Sequence, residues 1–133
     1  MLNPTIELLD KEQVTIRNKA RAVAESLVGK MPVIYCEARY DGVAVRLRQQ
    51  INENSKMLCW HHVLPEMNHN ELVGWTEAHP EVVVLMFRSE DDYSRTQKRM
   101  EISKEVFLKY TPNYIELPSK GSTQLQRSIY LCR

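Results

Sequence analysis

No stretch of this chain stays apolar for long. The longest such run, Val82 to Phe87, is six residues, against the roughly 20 that a membrane-spanning helix needs. The opening Met1-Leu2-Asn3-Pro4 has no basic segment followed by a long apolar one, so no secretory signal is read and a cytoplasmic location is expected. Cysteine is scarce: Cys36, Cys59 and Cys132 are odd in number and show no CxxC spacing. That pattern argues against a disulfide framework and for reduced thiols, with Cys36 and Cys59 expected inside strands as small buried hydrophobes. No HExxH occurs, and the side chains of His61 and His62, on one extended segment, would face opposite ways. No metal and no cofactor are therefore expected. Excess charge of one sign is also missing. A net charge of +1 with acids and bases interspersed gives no electrostatic footprint for nucleic acid or an anionic membrane.

What is present fits one globular domain over residues 1–133, with 43% apolar and 26% charged residues. Asp10 and Gln13 have the form of a helix cap, and Ile16, Ala20, Val23, Ala24 and Leu27 then recur at helical spacing until Gly29 and Pro32 end the helix. Strands are expected near residues 32–36, 56–62, 82–88 and 113–117. Val82–Phe87, apolar throughout, should be covered on both faces. Asp41 is expected to start a helix carrying Ala44, Leu47 and Ile51, and Pro65-Glu66 a short helix ending near Gly74. Ser89 with Asp91 and Asp92 is expected to open a long helix to about Lys109, its acids at the positive pole. Gly121-Ser122 leads into a last helix with Leu125 and Ile129, still periodic at Arg133, which has the look of a truncated end. Strand and helix alternate four times. The expected fold is α/β, a doubly wound, mainly parallel sheet of about four strands with helices on both faces.

The chemistry concentrates in Ile51-Asn52-Glu53-Asn54-Ser55-Lys56 and in Pro65-Glu66-Met67-Asn68-His69-Asn70-Glu71-Leu72-Val73-Gly74-Trp75. Asparagine competes for backbone hydrogen bonds and is a poor filler of regular structure. Asn52 and Asn54 flank one acid, Asn68 and Asn70 one imidazole, which suggests a polar pocket holding an acid–base pair.

These two segments, with Val45-Arg46-Leu47-Arg48-Gln49-Gln50 before them, resemble the bifunctional phosphoglucose/phosphomannose isomerases of the sugar isomerase domain superfamily. The shared patterns are Arg-x-[Lys/Arg]-x-x-[Leu/Ile]-Asn-Glu-Asn-[Ala/Ser]-Lys and Pro-Glu-x-x-His-Asn-Glu-[Ile/Leu/Val]-Val-Gly-Trp. Gly121 and the Leu125–Leu131 stretch are similar to the family's later helix. The resemblance implies a flavodoxin-like sugar isomerase domain, with Glu53 as catalytic base and His69 as the acid that opens the sugar ring. It implies hexose 6-phosphates as substrates, a place in glycolysis or gluconeogenesis, and a homodimer with the histidine near the subunit interface. It also implies that this chain matches only most of the second of two domains. The first domain's Ser/Thr-rich phosphate loop and its Arg, and a C-terminal tail, have no counterpart, so the chain would supply part of an active site.

Each assignment has a plainer reading beside it. Glu53 could be a solvated residue at a helix end, although the macrodipole disfavours an acid there. His69 could be a surface histidine on a short helix. Arg46 and Arg48 are candidate substrate contacts, or simply a solvated helix face. Asn52 and Asn54 are expected to hydrogen-bond around the site, Lys56 to be a helix-end charge, and Glu71 to support His69 or cap the short helix. Trp60 and Trp75 are expected in the core or an interface. A non-catalytic domain that senses sugar phosphates is the alternative function; it needs phosphate donors but no base. A receiver-type module would want aspartates clustered at the sheet's carboxyl edge.

Overall fold

The computed structural model describes residues 2–133. Its centre is a four-stranded, wholly parallel sheet in the order β2-β1-β3-β4, with β1 at Met31–Glu37, β2 at Trp60–Leu64, β3 at Val82–Arg88 and β4 at Tyr114–Pro118. The two central strands are those richest in continuous apolar residues, because a strand covered on both faces has no solvent side to leave polar. Val33 pairs with Val84 and Tyr35 with Met86. Alternate residues then serve opposite faces. Ile34, Cys36, Val83, Leu85 and Phe87 enter one core, and Val33, Tyr35, Val82, Val84 and Met86 the other.

Helices α1 (Asn3–Leu27) and α2 (Asp41–Ser55) cover the first face, together with α5 (Gln124–Leu131). The second face is covered by α3 (Glu66–Asn70), a 3-10 turn at Leu72–Gly74, and α4 (Ser94–Phe107). α2, which links β1 to its neighbour on one side, lies opposite α4, which links β3 to its neighbour on the other; crossovers of one hand require this. α4 buries Met100, Ser103 and Phe107, three and four residues apart and so on one helical face. The Phe107 ring stacks on Tyr35 at 5.1 Å and 7°, lies 5.0 Å from Trp75, and stacks on Tyr114 at 6.5 Å.

Several element boundaries differ from the sequence expectation. α1 starts at Asn3 and not at Asp10; Pro4 is compatible with a first helical turn because its missing N–H needs no partner there. β2 begins at Trp60, so Met57 and Leu58 are unpaired and Cys59 is buried just ahead of the strand. Lys56, in the left-handed conformation with φ of 56°, ends α2 and turns the chain before pairing can start. α4 begins at Ser94, leaving Ser89, Asp91 and Asp92 in the preceding loop. α5 begins at Gln124, with Thr123 accepting from the Gln126 N–H at 3.2 Å. Gly121 just before it has φ of 136°, and a Cβ there would sit 2.5 Å from that of Gln126, so only glycine fits.

Candidate active site

Glu53 stands in the last turn of α2 with its side chain exposed. Its surroundings are fixed by the backbone turn that follows. Asn52 Nδ2 donates to the Met57 carbonyl at 2.8 Å, and Lys56 Nζ donates to the Glu53 carbonyl at 2.6 Å. Lys56 is thus the helix-end charge the sequence suggests, satisfying an orphan carbonyl at the negative pole. Asn52 braces the turn and does not touch the Glu53 carboxylate, and Asn54 is exposed. Arg46 is exposed and Arg48 half-buried on the same helix.

His69 is carried by α3, and its neighbours are anchors. Asn68 Nδ2 donates to Ser103 Oγ at 2.9 Å. The Val63 N–H donates to His62 Nδ1 at 2.8 Å, which puts the His62 proton on Nε2, and Nε2 lies 2.9 Å from Asn70 Oδ1. Asn70 Nδ2 continues to Glu66 Oε1 at 3.1 Å. The Glu71 carboxylate makes no hydrogen bond to His69; through its main chain Glu71 is the C-cap residue of α3, its N–H donating to the Met67 carbonyl at 3.0 Å. Its Oε1 accepts from Trp60 Nε1 at 2.6 Å and from the Tyr35 hydroxyl at 3.0 Å. Tyr35 is wholly buried, and its hydroxyl is pushed far above the usual range by desolvation and by the Glu71 charge. Asn68, Asn70 and Glu71 therefore fasten α3 to the sheet and to α4, while the His69 side chain is exposed. His61, as expected, faces the other way, with Nε2 3.0 Å from Asp41 Oδ1 on α2.

The single polar pocket inferred from the asparagines does not form. Glu53 and His69 lie on helices packed against opposite faces of the sheet. Among the described residues neither side chain has a hydrogen-bonding partner. Each is presented outward by bonds of its neighbours, an arrangement suited to a site completed by other protein surfaces.

Residues 16–133 match the family model of the bacterial phospho-glucose isomerase C-terminal SIS domain. The chain belongs to this family. It is 34% identical over 127 residues to the bifunctional phosphoglucose/phosphomannose isomerase of Aquifex aeolicus (strain VF5), a match covering 94% of this chain and 40% of that protein. The corresponding isomerase of Caldicellulosiruptor bescii is 31% identical over 120 residues, with 86% and 35% covered. The SIS domain therefore spans well under half the length of these curated relatives. A solved structure, the C-terminal domain of glucosamine-fructose-6-phosphate aminotransferase from Francisella tularensis, superposes with a TM-score of 0.68 at 13% identity, over 96% of this chain and 41% of that one. That likeness concerns the fold.

At the carboxyl edge, between β1 and β3, doubly wound sheets bind ligands where the strand order reverses. In this SIS domain the place is filled by the protein's own charges, a cluster the sequence did not reveal. Arg39 bonds Glu37 and the Asp91 carbonyl, and its Nη1 lies 3.5 Å from Asp91 Oδ2. Arg127 Nη1 approaches the same oxygen at 3.2 Å, and the Tyr40 hydroxyl donates to Asp91 Oδ1 at 2.8 Å. Desolvation pushes the Asp91 carboxyl up, but hydrogen bonds from Ser89 and Tyr40 and the charges of Arg127 and Arg39 together outweigh it and hold Asp91 below the usual carboxylate range. Asp91 and Asp92 thus serve this crevice and not the start of α4; the Ser89 N–H donates to Asp92 Oδ2 at 2.8 Å and the Tyr93 N–H to Glu37 Oε2 at 2.7 Å.

Asp92 is only 5% exposed and its Oδ1 has no partner among the described residues. Burial first, then the charges of Glu37 and Asp91, lift its pKa from 3.8 to about 6. The folded chain then holds a proton that the unfolded chain releases near pH 4. This contribution to stability is present below about pH 4 and is lost as pH rises to about 6. The loss is on the order of 2–3 kcal/mol. Asp92→Asn keeps the acceptor for Ser89 and removes the charge. It should raise stability at pH 7.5 by about 1–3 kcal/mol relative to the parent, with the difference closing toward pH 4. Urea unfolding of both proteins across that range measures it.

Proposed function

We propose that this SIS domain supplies the acid–base pair of a phosphosugar isomerase that interconverts glucose 6-phosphate or mannose 6-phosphate with fructose 6-phosphate. Glu53 is the base and His69 the ring-opening acid. The observation that carries the reading is the pairing of sequence motif with geometry. The two residues on which the isomerase motifs centre are both presented outward, while Asn52, Asn68, Asn70 and Glu71 beside them are spent on anchoring. An aldose phosphate and its ketose differ by one hydrogen moved between adjacent carbons. The imidazolium protonates the ring oxygen as the ring C–O bond breaks. The C1 hydroxyl gives up its proton as the carbonyl forms; the carboxylate then removes the C2 proton, giving an enediolate, and returns it to C1 while the hydroxyl proton on O2 passes to O1. Glucose and mannose phosphates differ at C2 and lead to the same enediol, so one base serves both. An ordinary carboxyl, near ~4.3, is a weak base, and such a site must be dried when the other domain closes over it.

The placement of the pair on opposite faces of the sheet supports a site shared between subunits of a homodimer. Glu53 of one subunit and His69 of its neighbour meet the sugar, and the first domain grips the phosphate. The α3 region, with Leu72 and Trp75 beside it, then lies at or near that interface. The alternative of a sugar-phosphate sensor would use the crevice at the carboxyl edge of this sheet. Three carboxylates there, Glu37, Asp91 and Asp92, against Arg39 and Arg127, weigh against an anionic ligand and against that reading.

The test is His69→Ala in the two-domain protein. Activity on the closed-ring substrate should fall by about 10²–10⁴-fold, while proton exchange at C2 of an open-chain analogue, followed by NMR in deuterated water, should fall far less. Equal losses on both would mean that His69 does not act in ring opening.

A further inference from the structure

Beside the Glu71 anchor, a cavity of about 300 Å³ opens at the amino-terminal ends of β1, β2 and β3. Its walls include Met31, Trp60, Glu71, Trp75, His79 and Glu81. The chain has two tryptophans, and both line this cavity. Trp60 and Tyr35 both donate to Oε1 of Glu71. Its other oxygen, Oε2, has no protein partner among the described residues. A second carboxylate, Glu81, lies 3.1 Å from His79 Nδ1 and is held below the usual range by a backbone N–H, then by His79. His79 sits edge-on to Trp75 at 5.8 Å and 89°. The nearby Lys30 ammonium is engaged by the Pro80 carbonyl at 3.1 Å.

We propose that this cavity is a binding site for an organic cation, an ammonium or guanidinium group. Indole rings attract cations through their negative faces. A carboxylate oxygen with spare acceptor capacity gives a cation a charge-assisted hydrogen bond. Mostly apolar walls with a few converging polar groups are the make-up of a ligand pocket of this size. A phosphate would meet Glu71 and Glu81 here and be repelled. The cation is therefore a second ligand class, separate from the sugar phosphate of the isomerase reaction. Its source is either the end of a Lys or Arg side chain from another protein surface, or a free amine.

Both tryptophans report on the cavity, so intrinsic fluorescence of the 133-residue chain reads the site directly. Ethylammonium and ethylguanidinium represent side-chain ends, tetramethylammonium a free quaternary amine, and sodium chloride holds the ionic strength constant. The expected result is a saturable change in emission with at least one organic cation. Saturation by the first two points to a side chain, and by the last to a free amine. Glu71→Gln should weaken binding by about tenfold or more. Glu81→Gln, on an exposed side chain that folding does not need, should also weaken it, and weakening in either variant supports the site. Responses matching those to sodium chloride for all three cations, or unchanged half-saturation in both variants, overturn the proposal.

Discussion

Glu53→Gln in the two-domain protein should remove isomerase turnover by at least about 10²–10⁴-fold, the range typical of a lost general base, while leaving the fold intact. Glutamine has the shape of glutamate but cannot accept and return the C2 proton. The exposed Glu53 side chain makes no hydrogen bond among the described residues, and the contact Lys56 makes is to the main-chain carbonyl. Thermal midpoint and far-ultraviolet dichroism should therefore match the parent. A coupled assay in both reaction directions gives the kinetic side. Near-native rates in the variant would show that the base is another residue.

Phe107→Ala carries the largest expected cost to stability, about 3–5 kcal/mol. Phe107 is wholly buried at the end of α4, and its ring packs against Tyr35, Trp75 and Tyr114. Removing it opens a cavity under three rings that are themselves tied to β1, to the segment after α3 and to β4. The same rings steady the Glu71 network, since Trp75 Nε1 lies 3.4 Å from the Tyr35 hydroxyl. Loosening should thus reach α3, and activity of the two-domain protein should fall along with stability. Urea unfolding of the chain measures the first effect; a midpoint shift worth less than about 1 kcal/mol would show that the site collapses and refills.

The parallel sheet was legible because it depends on local pattern. Val33–Cys36 and Val82–Phe87 are apolar runs too short for helices and too uniform for half-exposed strands, and they became the two central strands. β2 starts later than its sequence suggests, because apolar Met57 and Leu58 look like strand. What decides its start is the left-handed turn at Lys56 and the bracing by Asn52. Asp91 and Asp92 resemble helix-start acids in sequence. The charged partners of Asp91 are Arg39, 52 positions before it, and Arg127, far after it, and no local signal announces them; Asp92 turns back to accept from the Ser89 N–H. The identity of Glu53 and His69 as candidates was legible from the motif. Their separation across the sheet was not, because four asparagines read as one pocket, whereas Asn52 braces its own turn, Asn68 and Asn70 anchor α3, and Asn54 is exposed.

The most direct measurement uses mixed dimers of the two-domain protein. Glu53→Gln and His69→Ala variants, each nearly inactive alone, are unfolded together and refolded as an equal mixture. If base and acid come from different subunits, half of the dimers are mixed and each holds one intact site. Activity should then return to about a quarter of the parent level by symmetry alone. If both residues act within one subunit, no site is intact. A mixture no more active than the separate variants, with mixed dimers shown to be present, would contradict a site shared across the interface.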